Sequence, residues 1–127
     1  MAWGKELRRL GRALGFAARG LRYLMRTQPN ARWHAAATVA VVVAGVAGRV
    51  NATEAALLAL AVSMVWAAEA FNTALEALAD RCTTQTDPLI AAAKDTAAAA
   101  VLVTALGAVA VGLAVLGPKL LRGWRVP

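Results

Sequence analysis

Four polar side chains follow a nearly unbroken apolar run that begins at Ala55. They are Glu69, Asn72, Glu76 and Asp80, in the stretch "AAEAFNTALEALADRC". Offsets of three, seven and eleven residues keep all four within about 80° of one helix face. Thr73 borders this stripe, while Ala70, Ala74, Leu75 and Leu78 lie mostly off it. Past the short polar stretch "CTTQTD" come Lys94 and Asp95. A carboxylate in a lipid-lined site holds a proton more tightly than one in water and can act as a general base. A second carboxylate near the membrane boundary can hold Mg²⁺. A lysine at the same level can meet phosphate, and a basic surface can draw in an anion such as ATP. A hydroxyl group delivered from the bilayer would complete such chemistry.

Other readings explain less. A carboxylate at the bilayer centre costs roughly 3 kcal/mol on insertion scales, so something must offset several together. Interhelical pairs such as Glu76–Lys94 account for one carboxylate and leave two. An ion pathway needs polar groups through the whole membrane, and the outer halves of the apolar segments lack them apart from Ser63 and Thr104. Gly15 to Gly20 has the glycine spacing of a Walker A loop, but Leu21 stands where lysine is required.

The elements that must carry these residues are legible. Periodicity predicts an amphipathic helix over 3–26, with Trp3, Leu7, Leu10, Leu14, Leu21 and Met25 on one side. Lys5, Arg8, Arg9, Arg12, Arg19 and Arg26 fall on the other, which suits a helix lying in the membrane surface. Phe16 and Tyr23 project on the basic face, where a flat ring beside arginines suits a nucleotide. Pro29 ends this helix and opens the next. Three membrane helices are expected, over 30–50, 55–82 and 88–116. The first is about 31 Å long, enough to span a bilayer. Asn51 and Glu54 have the spacing of a capping box, Asp87 and Pro88 suit a helix start, and Gly117-Pro118 should end the last helix. Folding the last two helices back through the 82–87 loop puts Glu76 and Lys94 each about 9 Å from the turn, hence at one level.

The 127 residues suit one small domain, and 60% hydrophobic content is too apolar for an ordinary soluble one. The net charge of +7 is uneven, with eight of fourteen basic residues before His34. That layout suits a membrane protein with its positive end in the cytoplasm better than nucleic-acid binding. With the N-terminus inside, ten basic residues lie inside; Arg49, Lys119, Arg122 and Arg125 lie outside. The early charges recur along the first helix, unlike those of a secretory signal peptide. Cys82 alone supports neither a disulfide framework nor a cysteine metal site. Small-residue spacings such as Ala44/Gly48 and Ala108/Gly112 permit close helix contact.

The residues together resemble a known family. "EAFNTALEALAD" followed by "AAAKDTAAAAVLV" is similar to the paired motif of the small prokaryotic diacylglycerol kinases and undecaprenol kinases. The resemblance covers nearly the whole chain, 1–127, as one lipid-kinase domain. It implies an all-α membrane protein, a surface helix plus three transmembrane helices, assembled as a homotrimer with composite sites. It further implies a bacterial plasma-membrane location with the N-terminus and active site cytoplasmic. The implied reaction moves the γ-phosphate of MgATP to a lipid alcohol, undecaprenol or diacylglycerol. By position, Glu69 resembles the general base and Glu76 a ligand for the metal. Asn72 and Asp80 would shape the site. Lys94 and Asp95 would contact the nucleotide, with Gln85, Thr86 and Asp87 covering it. Arg9 matches a family arginine, and Phe16 sits where an aromatic ring meets adenine. Gln28 stands where the family usually has a glutamate as second metal ligand; it can coordinate through its amide oxygen but brings no charge. "TQPNARWHAAA", with Arg32 and His34, resembles the undecaprenol kinase branch, as does "GPKLL", and both favour undecaprenol. The competing expectation is a non-catalytic membrane anchor whose acidic stripe serves only assembly.

Overall fold

In the computed structural model, which describes residues 2–83 and 85–123, the chain is all helical. The helices are α1 (Ala2–Thr27), α2 (Pro29–Ala47), α3 (Ala52–Cys82) and α4 (Pro88–Gly123). The side chains of Ala2, Arg122 and Gly123 are not described, and Arg125 lies outside the described residues.

Local chemistry sets the boundaries. Gln28 is extended, and Pro29 opens α2 where a missing N–H costs nothing. Asn51 Oδ1 accepts from Glu54 N–H (3.0 Å) and Glu54 Oε2 accepts from Asn51 N–H (2.7 Å), so the capping box forms as its spacing predicts. Asp87 Oδ1 accepts from the N–H groups of Leu89 and Ile90, and Pro88 opens α4. Between α2 and α3, Val50 N–H donates to Gly45 O (3.1 Å), and Arg49 takes the left-handed conformation (φ 49°) that ends many helices.

The last helix departs from expectation. It does not stop at Gly117-Pro118 but runs through Pro118 to Gly123. Proline keeps a helical φ and removes one backbone donor, a loss a membrane helix tolerates. Lys119, just beyond it, reaches Glu54 at 2.9 Å and ties that end of α4 to the start of α3. Leu58, Val115 and Leu116 pack together beside this pair, with Val41, Ala44, Val50 and Val111 around them. At the opposite end Lys94 reaches Asp80 at 2.9 Å. The two ion pairs bracket an antiparallel α3–α4 hairpin. α2 runs antiparallel to α3, and the end of α1 closes against both, with Leu24 of α1 and Ala31 of α2 buried.

α3 and α4 are each long and apolar enough to cross a membrane. α2 has 19 residues, about 28 Å, but Asn30, Arg32 and His34 make its first turns polar. It does not reach the same apolar threshold as α3 and α4. The accessible surface is 9834 Å², against about 6,400 Å² expected for a compact soluble chain of this mass. The excess is apolar: Trp3, Leu7, Leu10 and Leu14 on α1, and much of α2 to α4, are exposed. Such a surface belongs in lipid or against other copies.

Candidate functional site

The polar stripe of α3 runs from full burial to open water. Glu69 is 1% exposed, Asn72 and Thr73 are buried, Glu76 is half-buried, and the Asp80 side chain is 70% exposed. Different elements meet each level. At the deepest, His34 of α2 faces Glu69, with Nε2 and Oε2 3.8 Å apart. The Thr73 hydroxyl donates to the Glu69 backbone carbonyl (2.9 Å), leaving the carboxylate itself free of that group. Glu69 Oε2, His34 Nε2 and Asn72 Oδ1 are each sealed from solvent with no hydrogen-bond partner among the described residues. Buried polar atoms are nearly always paired, so three orphans within about one turn of α3 mark a place built to receive something.

Two turns along α3 from Glu69, Glu76 is met by two amides. Gln28 Nε2 donates to Oε2 at 2.9 Å and Asn72 Nδ2 to Oε1 at 3.3 Å. The α1–α2 corner positions Gln28, held in part by a weak bond from Arg32 Nε to Met25 O (3.5 Å). Arg32 is exposed and stays at this corner. No three His, Cys, Asp or Glu side chains among the described residues gather closely enough to hold a metal alone. A nucleotide-bound Mg²⁺ does not need that, since it takes one or two carboxylates and fills the rest from phosphate and water. The Glu76 carboxylate fits that requirement, and the Gln28 amide lies beside it, its Nε2 toward Glu76.

At the tip of the α3–α4 hairpin a polar cavity of about 420 Å³ is lined by Asp80, Thr83, Gln85, Thr86, Asp87 and Lys94, among others. Lys94 pairs with Asp80 here, so the interhelical pair that forms is this one and not the alternative Glu76–Lys94 pair. The long lysine stem reaches toward water and carries the ammonium a turn closer to the tip. Glu76 meanwhile is engaged by Gln28 from the α1–α2 corner. Asp87 is occupied as the cap of α4. Asp95 is exposed, and no side chain among the described residues pairs with it.

Arg9 and Phe16 do not join these groups within one chain. They precede Gln28 by nineteen and twelve residues, about 28 and 18 Å along a straight helix. Arg9 lies 4.0 Å from Glu6, both exposed. Arg19 sits over the Phe16 ring at 4.6 Å, so the ring does lie among the arginines.

Sequence reasoning missed Trp66. Its Nε1 donates to Thr38 Oγ1 (3.0 Å), and that hydroxyl donates to the His34 carbonyl (2.7 Å). The link fixes α2 against α3 one turn from the His34–Glu69 gap. Trp66 lies three residues before Glu69, and that offset was the available signal.

Comparisons with known proteins identify the chain's family. The family model of prokaryotic diacylglycerol kinase matches residues 15–116. The undecaprenol kinase of Bacillus subtilis (strain 168) is 36% identical over 115 residues, 91% of this chain and 94% of that protein. A diacylglycerol kinase of Synechocystis sp. is 41% identical over 107 residues, 84% of this chain and 61% of that longer protein.

Proposed function

The chain belongs to the prokaryotic diacylglycerol kinase family, and we propose that it moves the γ-phosphate of MgATP to the hydroxyl of a membrane lipid alcohol. One observation carries the reading: a fully buried carboxylate, Glu69, with an unpaired oxygen, on the same helix face as a half-buried Glu76 and an exposed Asp80. The gradient runs from lipid depth to cytosol, so a lipid hydroxyl and a nucleotide can approach from opposite ends.

In this reading Glu69 takes the proton of the acceptor hydroxyl. The lipid oxygen bonds the γ-phosphorus, the bond to the β–γ bridging oxygen breaks, and ADP leaves with that electron pair. Glu76 and Gln28 would hold Mg²⁺, which supplies charge neutralisation on the phosphates. Asn72 holds Glu76 in place. Lys94 and Asp80, with Gln85, Thr86 and Asp95, would receive the nucleotide at the hairpin tip, and Asp87 would shape that loop as a cap. Arg32 would steer phosphate at the α1–α2 corner.

The finer points follow. The chain crosses a bacterial plasma membrane three times, α2 included, with its N-terminus and site in the cytoplasm. The ten-to-four division of basic residues supports this orientation. It assembles as a homotrimer, in which Arg9 and Phe16 of one copy can meet the nucleotide of another; their separation from Glu76 along α1 supports that. Undecaprenol is favoured over diacylglycerol, because "TQPNARWHAAA" follows the undecaprenol kinase pattern and the match to such an enzyme runs nearly end to end.

Labelled ATP incubated with undecaprenol and with diacylglycerol tests the reading. We expect label in a lipid, more in undecaprenol, and a loss of about 10²- to 10⁴-fold in kcat for Glu69→Gln. Unlabelled lipids with the wild type would sink the kinase reading and favour a non-catalytic anchor.

A further inference from the structure

We propose that His34 touches the acceptor, its Nε2–H donating to the hydroxyl oxygen whose proton Glu69 takes. The inference rests on the kinase reading above and deepens it. His34 Nε2 and Glu69 Oε2 are 3.8 Å apart. That is too long for a direct hydrogen bond, yet one oxygen at about 2.8 Å can reach both. A hydroxyl suits the gap because it must donate to one side and accept from the other. It gives its proton to the carboxylate, which can only accept when ionised. It receives the imidazole N–H in one of its lone pairs, and the other points away for attack on phosphorus.

The surroundings are built for this. Both atoms are closed to solvent and otherwise unpaired. The His34 backbone is held in place, because the Trp66–Thr38–His34 hydrogen bonds keep α2 in register with α3. His34 also lines an apolar cavity of about 410 Å³ between α2, α3 and α4 that extends past Val62 and Val109 to Leu116. A hydrocarbon chain attached to a hydroxyl in the gap has an apolar path outward. The charged groups facing the gap are few: Glu76 is engaged by Gln28 and Asn72, and Lys94 by Asp80.

The balance of the transfer is unchanged. The proton still goes to Glu69, and His34 keeps its own. Its contribution is to fix the direction of the O–H bond and to leave no orphan donor when the acceptor is bound.

Steady-state kinetics on the full-length protein in lipid nanodiscs, with undecaprenol and ATP varied separately, test this. We expect His34→Leu to lower kcat/KM for the lipid roughly tenfold to a hundredfold, with the KM for ATP unchanged. His34→Gln, whose amide N–H reaches the same place as Nε2, should recover most of the loss. A dehydroxylated polyprenyl inhibitor should bind wild type and His34→Leu alike. Equal lipid kinetics in wild type and His34→Leu overturn the proposal while leaving the kinase reading intact. Failure of His34→Gln to recover activity, in protein with wild-type melting behaviour, overturns it too. A wild type that phosphorylates no lipid defeats the underlying reading instead.

Discussion

At the residue scale the pair Gln28–Glu76 is the most informative contact. A neutral amide donates to the carboxylate at 2.9 Å where a second acid would repel it. Gln28→Glu places two carboxylates at this distance, tolerable only when a cation lies between them. Added ligand charge tightens divalent binding. Gln28→Glu should therefore lower the Mg²⁺ concentration for half-maximal rate by roughly tenfold, and the protein should become more stable on adding Mg²⁺. A Mg²⁺ response identical to that of the wild type would remove both residues from the metal site. Thr73 and Asn72 show how neighbouring polar groups divide their tasks. The Thr73 hydroxyl returns to the backbone, and the Asn72 amide turns to Glu76, so neither takes up the Glu69 carboxylate that faces His34.

At the element scale, the stripe of α3 works because other helices stop at the right height. Pro29 breaks the chain so that Gln28 meets Glu76 and His34 meets Glu69, six residues apart on one side of the corner. The capping box and the Lys119–Glu54 pair hold the far end of the hairpin, and the Lys94–Asp80 pair holds the near end. Orientation of this hairpin is measurable, because the single cysteine, Cys82, is exposed beside its tip. A membrane-impermeant maleimide should label Cys82 in inside-out vesicles and spare it in intact cells. Labelling of intact cells would invert the topology.

At the scale of the whole molecule, the accessible surface is about half as large again as a soluble chain of this mass would show. Lipid can cover the apolar part. It cannot bring Arg9 and Phe16 to a nucleotide held at Glu76, because a straight α1 keeps them about 28 and 18 Å from Gln28. A neighbouring copy can. Light scattering of the protein in detergent, corrected for bound detergent, should give three times the chain mass of 13.1 kDa. A monomer that is fully active would refute the composite site.

Much of this was legible in one dimension. Short-range rules are local in sequence, so the capping box, the Asp87 cap, the Pro29 break and the amphipathic α1 followed from residues within a turn of each other. The polar face of α3 followed from helical period alone, and the family from two motifs at fixed spacing. Partners across helices did not follow. Lys94 was placed at the level of Glu76 and bonds Asp80, since a long side chain selects its partner by reach and hydration. α4 passes through Pro118, and an ion pair to Glu54, sixty-five residues before Lys119 in the chain, holds its end. The Trp66–Thr38 latch and the His34–Glu69 gap depend on the rotation of α2 against α3. Composition and period constrain which face a residue occupies; only packing decides what that face meets.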